Sequence, residues 1–220
     1  MRANIKEKFL GVIILLVGLT IAHLGVTLFL LSNLGADPFN VLVQGIFRLL
    51  SNLTGWQILT HGYTHVAICF LIILVLLLVD RSYVKIGTIL CMICGGPIID
   101  FFTRILEALR IGERAFGIKI VVLALGCVIL AYGMTIVIKS EAGTGPNDLV
   151  AVVLSDKMKK QFGIVRIVVD VTFVAVGFLL GGAVGIGTVV CAFLVGPVAG
   201  VFLPVNERII RQMRSRCIKL

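Results

Sequence analysis

The sequence predicts an all-α membrane protein with about six transmembrane helices and two short re-entrant or interfacial helices, built as an inverted internal repeat. Composition is the first reason: 59% hydrophobic residues, 14% charged residues and a mean hydropathy of +1.13 lie outside the range of soluble domains. The second is length. A helix needs roughly 20 apolar residues to cross ~30 Å of hydrocarbon, and such runs occur at about 9–31, 60–79, 85–103, 117–138, 164–181 and 183–205. The third is duplication: the pattern G-T-x-x-C-x-x-x-x-G-P over Gly87–Pro97 returns over Gly187–Pro197.

Taken in order, the run from Phe9 to Leu31 is too long for a signal-peptide core and lacks a small-residue cleavage site. It is expected to remain as an anchor, with Arg2, Lys6 and Lys8 in the cytoplasm. The apolar segments at about 38–50 and 146–160 would each reach only ~20 Å as helices and are too polar to cross alone. The fifth span is short and carries Arg166 and Asp170. After the sixth, residues 206–220 read as a basic cytoplasmic tail. The chain is thus one transmembrane domain, with repeat 1 at about 9–105 and repeat 2 at about 117–205.

At a shift of 108 residues, Gly18, Gly25, Thr27, Ser32, Gly35 and Pro38 fall on Gly126, Gly133, Thr135, Ser140, Gly143 and Pro146. The later block repeats at a shift of 100, so the first half carries eight extra residues, most naturally within Ser51–Thr60. Each half reads as span, short Pro-led helix, span, span. Three spans is an odd number, so the second half enters the membrane from the opposite side. With both termini in the cytoplasm, fourteen Lys and Arg residues fall in inside segments and five in outside segments. The outside loop from Arg104 to Lys119 runs against this distribution.

Asp37-Pro38-Phe39-Asn40 and Gly145-Pro146-Asn147-Asp148 read as matched helix starts, with Pro at the first helical position. Gly35, Gly143 and Gly145 permit the sharp path of a re-entrant entry. Helix starts dipping inward from opposite faces would converge near the midplane, with free N–H groups and positive dipole ends directed at a ligand. Loops ending in ordinary interfacial helices are the alternative. Arg166 and Asp170, spaced i, i+4, form an intrahelical pair that lowers the cost of each charge in hydrocarbon. Otherwise Arg166 reaches the cytoplasmic interface. The candidate substrate-binding residues are therefore Asp37, Pro38, Asn40, Gly143, Thr144, Gly145, Pro146, Asn147, Asp148, Arg166 and Asp170.

Other polar residues carry less. Asn40, Gln44 and Arg48 share one helix face, which lines a polar path or, for Arg48, faces water. Asp100 is placed near the outer interface. His61 and His65 lie one turn apart without a third ligand at metal-site spacing, and no metal or cofactor is expected. Cys91-x-x-Cys94 lies inside a span, and its second-half counterpart keeps only Cys191, which points to packing rather than redox chemistry. The formal charge of +9 is spread over span flanks, leaving no basic module for nucleic acid. No nucleophile–base pattern is present, so an enzyme is not expected.

Leu34-Gly35-Ala36-Asp37-Pro38-Phe39-Asn40, the run Gly143–Asp148, Arg166 with Asp170, and Gly185-Ile186-Gly187-Thr188 with Gly196-Pro197 together resemble the YczE/YitT group of bacterial integral membrane proteins, over nearly the whole chain. The resemblance implies a multi-pass protein of the bacterial inner membrane and supplies no substrate. Its partners would be the lipid bilayer and an unknown small solute, with a homo-oligomer or a membrane partner protein also open. The expected function is small-solute transport through a midplane site between the repeats. The alternative is an accessory protein that stabilises or regulates a partner enzyme or complex.

Overall fold

A computed structural model describes residues 2–54 and 61–218, and the side chains of residues 7–53 and 62–215. Its described residues form eight α-helices: α1 (Arg2–Leu31), α2 (Pro38–Thr54), α3 (His61–Val79), α4 (Ile86–Leu106), α5 (Phe116–Lys139), α6 (Pro146–Met158), α7 (Phe162–Leu179) and α8 (Ile186–Ile218). Two single 3-10 turns, Glu107–Leu109 and Ile111–Glu113, fill the loop between α4 and α5. All except α2 and α6 contain a stretch long and apolar enough to cross a membrane, which makes six. The protein is a multi-pass membrane protein.

Three boundaries extend well past the sequence reading, the first being α1, which begins at Arg2 and not near residue 9. Helix α2 runs to Thr54, and α8 continues through residues 206–218 of the expected tail. Hydropathy marks where hydrocarbon ends, whereas the Arg-rich stretch beyond Val205 still favours helix. Of the stretch expected to hold the extra residues, 55–60 lies outside the described residues.

Helices α1 and α5 form the central contact, and they run antiparallel. A Cβ built on Gly25 would stand 2.5 Å from the Gly126 carbonyl oxygen, and one built on Gly133 would stand 2.7 Å from that of Gly18. The 108-residue shift converts one contact into the other. Small residues let backbones approach closely where apolar burial gives no drive, because lipid is as apolar as the helix. The same exchange operates elsewhere. Gly87 N–H donates to the Ala142 carbonyl at 2.9 Å, and Gly187 N–H donates to that of Leu34, also at 2.9 Å. Gly35 and Gly143 adopt φ of 146° and 132°, a region L-residues avoid, and each backs onto the start of the other half's last helix.

The short helices begin inside the bundle and end at its rims. Phe39, in the first turn of α2, packs its ring on Phe173 within α7 at 5.6 Å, while Arg48 donates to the Gly181 carbonyl beyond the end of α7. Helix α6 does the same along α3: Leu149 clusters with Leu76, and Asp156 meets the Tyr83 hydroxyl past the end of α3 at 3.1 Å. Partial desolvation and the hydrogen bond to the Asp156 carboxylate hold the Tyr83 phenol above its usual pKa. The largest apolar cluster joins Phe29, α5, α6, α7 and α8 around Leu123, Val169 and Val195. Cys91 sits in a smaller cluster with Leu15, Leu19 and Val137, a packing position.

Candidate functional site

The first turn of α2 is closed by its own acid. Asp37 accepts the Asn40 backbone N–H at 3.2 Å and the Asn40 side-chain amide at 2.5 Å, as an N-cap residue does. In α6 the N-cap is Gly145, and the acid stands three residues later at Asp148. Each start therefore carries one carboxylate, at swapped positions, close to the positive end of its helix.

Arg166 ties the second start to α7. Its Nη1 donates to Asp148 Oδ1 at 2.6 Å, and its Nε donates to Asp170 Oδ2 at 2.9 Å. The Asp170 side chain is 1% exposed, so the pair is buried, and Arg166 does not reach for the interface. One guanidinium thus serves two carboxylates. The other oxygen of Asp170 is buried and meets no donor among the described residues.

Both helix starts line one cavity of about 320 Å³. Eight of the sequence-predicted residues reach it: Asp37, Pro38, Asn40, Gly145, Pro146, Asn147, Asp148 and Arg166. Three do not. Asp170 stands behind Arg166, Gly143 is wedged against Thr88, and Thr144 is buried with its hydroxyl unpartnered among the described residues. The predicted face of α2 divides: Asn40 lines the cavity, whereas Gln44 accepts the Ala183 N–H at 2.7 Å and Arg48 caps the end of α7. Arg48 is thus exposed yet anchored, not simply water-facing.

His23 is a cavity residue that the sequence reading did not single out. Its Nδ1 lies 2.8 Å from the Leu19 carbonyl oxygen, which can only accept, so Nδ1 carries a proton and, in the neutral ring, Nε2 is left as an acceptor. That nitrogen faces Gly95 of α4, where a Cβ would stand 2.7 Å away. A lone mid-span histidine was the available signal, but nothing local distinguished it from a packing residue. His65 also lines the cavity, its ring edge-on to Phe39 at 5.2 Å, while the His61 side chain lies outside the described residues.

The two ends of the bundle differ. A second, open cavity of about 540 Å³, lined by Gly35, Gln44 and Gly185 among others, shares Asp37 and Asn40 with the first, so these two residues separate a vestibule from the interior. The other end carries an ionic lacing. Arg214 bonds the Glu141 carboxylate and the Ser140 carbonyl, Lys85 donates to the Glu141 carbonyl at 2.9 Å, and Lys139 pairs with Glu207 at 2.6 Å. At the vestibule end the positions matching Glu141, Lys85 and Lys139 hold Asn33, Gly185 and Leu31, which cannot form that lacing.

This arrangement defines a polytopic helical membrane protein with an interior cavity, mostly apolar in its lining, whose polar groups gather at two helix starts. The chain belongs to the family of unknown function DUF6198, whose model matches residues 9–204. It is 28% identical to the uncharacterized membrane protein YczE of Bacillus subtilis (strain 168), covering 94% of this chain and 89% of that one. An uncharacterized protein of Haemophilus influenzae (strain ATCC 51907 / DSM 11121 / KW20 / Rd) is 29% identical, over 89% of this chain and 84% of its own length. The uncharacterized protein YyaS of Bacillus subtilis (strain 168) is 25% identical, over 87% and 92%. No solved structure matches the chain.

Proposed function

We propose that the protein is a small-solute transporter of the bacterial inner membrane, with both termini cytoplasmic and its solute site between two inverted repeats. The observation that carries this reading is that Pro38 and Pro146, each opening a short helix that begins inside the bundle, line the same cavity. Antiparallel α1 and α5, exchanging matched glycine contacts, support a two-fold axis in the membrane plane. Short helices whose starts meet between such repeats are the usual setting of a transporter site. A vestibule at one end and ionic lacing at the other support a state open to one side.

Gly145→Val tests the reading. Gly145 has φ −60° and ψ 149°, which valine tolerates, and its Cβ would stand 3.1 Å from Asn147 Oδ1 within the cavity lining. Thermal stabilisation of the purified protein by a metabolite panel is measured for wild type and variant. A stabilising metabolite is expected to lose its effect in Gly145→Val while the unliganded melting temperature stays close to wild type. An effect that persists in the variant moves the site elsewhere. No stabilising metabolite and no flux in proteoliposomes would favour the accessory-protein reading.

A further inference from the structure

If the cavity is a solute site, as proposed above, its charge dictates what kind of solute it takes. We infer that it binds a small monovalent organic cation, of the ammonium or amidinium class, and rejects anions of the same size. The one cationic side chain of this cluster that would receive an anion is already occupied, and a carboxylate stands at each helix start. Asp37 accepts from the first turn of α2, Asp148 stands in the first turn of α6, and Arg166 is spent on Asp148 and Asp170.

The charge count runs the same way. Three carboxylates face one guanidinium and two helix N-termini worth about half an elementary charge each, which leaves roughly one negative charge uncompensated in a low-dielectric setting. Asp170, 1% exposed behind Arg166, keeps one buried oxygen without a hydrogen-bond partner among the described residues, so its charge is only partly quenched and adds to the negative field on the cavity. In the neutral ring, His23 adds an acceptor nitrogen to the cavity wall, its other nitrogen being bonded to Leu19.

The remaining lining suits an organic cation better than a bare metal ion. Phe29, Phe39 and Met134 line the same space, and aromatic and thioether groups pack well around alkylammonium carbons. Among the described residues no three His, Cys, Asp or Glu side chains converge to hold a metal ion.

The test uses matched probes at constant ionic strength on the purified full-length protein: n-butylammonium, tetramethylammonium and guanidinium against butyrate, acetate and n-butanol. At least one of the three cations is expected to raise the melting temperature at millimolar concentration, and the carboxylates and alcohol are not. Asp37→Asn retains an N-cap, since Asn caps as well as Asp, while removing one negative charge. It should fold normally and weaken cation stabilisation by about 10-fold or more, the scale of a lost charge-assisted contact.

Stabilisation by butyrate or acetate in place of the cations would overturn the inference, as would no effect of any cation. An equal response in wild type and Asp37→Asn would overturn it too. Flux of the stabilising cation across proteoliposomes is measured separately. Binding without flux leaves the cation site standing and removes transport, whereas anion binding abolished by Gly145→Val keeps the site and removes only the charge assignment.

Discussion

At the residue scale the buried triad of Arg166, Asp148 and Asp170 sets the local energetics. Removing Asp170 leaves Arg166 held by Asp148 alone and takes the acceptor from its buried Nε, a loss on the scale of a charge-assisted hydrogen bond, about 1.5–3 kcal/mol. Asp170→Ala is therefore expected to lower the yield of monodisperse protein extracted from membranes, read by size-exclusion chromatography. Adding Arg166→Leu should restore much of it, because Asp148, with 19% of its side chain exposed, can then be solvated from the cavity. Unchanged yield in Asp170→Ala alone would mean that the carboxylate is not buried. The pairing of Arg166 with Asp170 was legible as an i, i+4 spacing. Asp148 was not, because its contact across eighteen residues exists only once α6 and α7 fold into a hairpin. Gly181 shows a different residue-level constraint. With φ at 94° and a carbonyl that accepts from Arg48, its change to Val should lower the melting temperature without bearing on solute recognition.

Among the elements, α1 and α5 carry the fold through interlocked glycines. Gly133→Val would place a Cβ 2.2 Å from the Ala22 backbone nitrogen, and neither helix can yield without separating the central pair. Overpacking of this kind costs about 1–3 kcal/mol or more, so a marked fall in thermal stability is expected. Gly96→Val is the control, since nothing lies within 4 Å of a Cβ built there. Equal losses in both variants would show that helix propensity, and not the crossing, sets the effect. The recurrence of Gly18 and Gly25 as Gly126 and Gly133 was legible in the sequence as duplication. That they pack on each other, one half against its copy, depends on the antiparallel docking of α1 and α5.

Across the whole molecule the unequal ends predict a directional response. Glu141 holds Arg214 and Lys85 together at the laced end, and Glu141→Gln removes its charge while keeping its shape. A cysteine at Thr144, buried beside that end, is then expected to react faster with a small thiol reagent than in the Glu141 background, where it should be protected. If the rate is the same in both backgrounds, the lacing does not control access from that side. Reporter fusions at either terminus test the orientation independently, and an external signal at either one would reverse the inside and outside assigned from charge.

Six spans, two Pro-led starts and the duplication were determined by the sequence alone, because each depends on local quantities: run length, hydropathy, residues at fixed offsets. Helix ends were less legible, since α8 continues past its apolar stretch on intrinsic propensity. Whether the two starts meet was not a local matter. Asp37 and Asp148 lie more than a hundred residues apart, and they share a cavity because α1 and α5 dock antiparallel and bring the halves together. The recruitment of His23, the sharing of Arg166 between two acids and the ionic lacing of one end were likewise decided only by tertiary structure, which alone sets distances between side chains that no spacing along the chain relates.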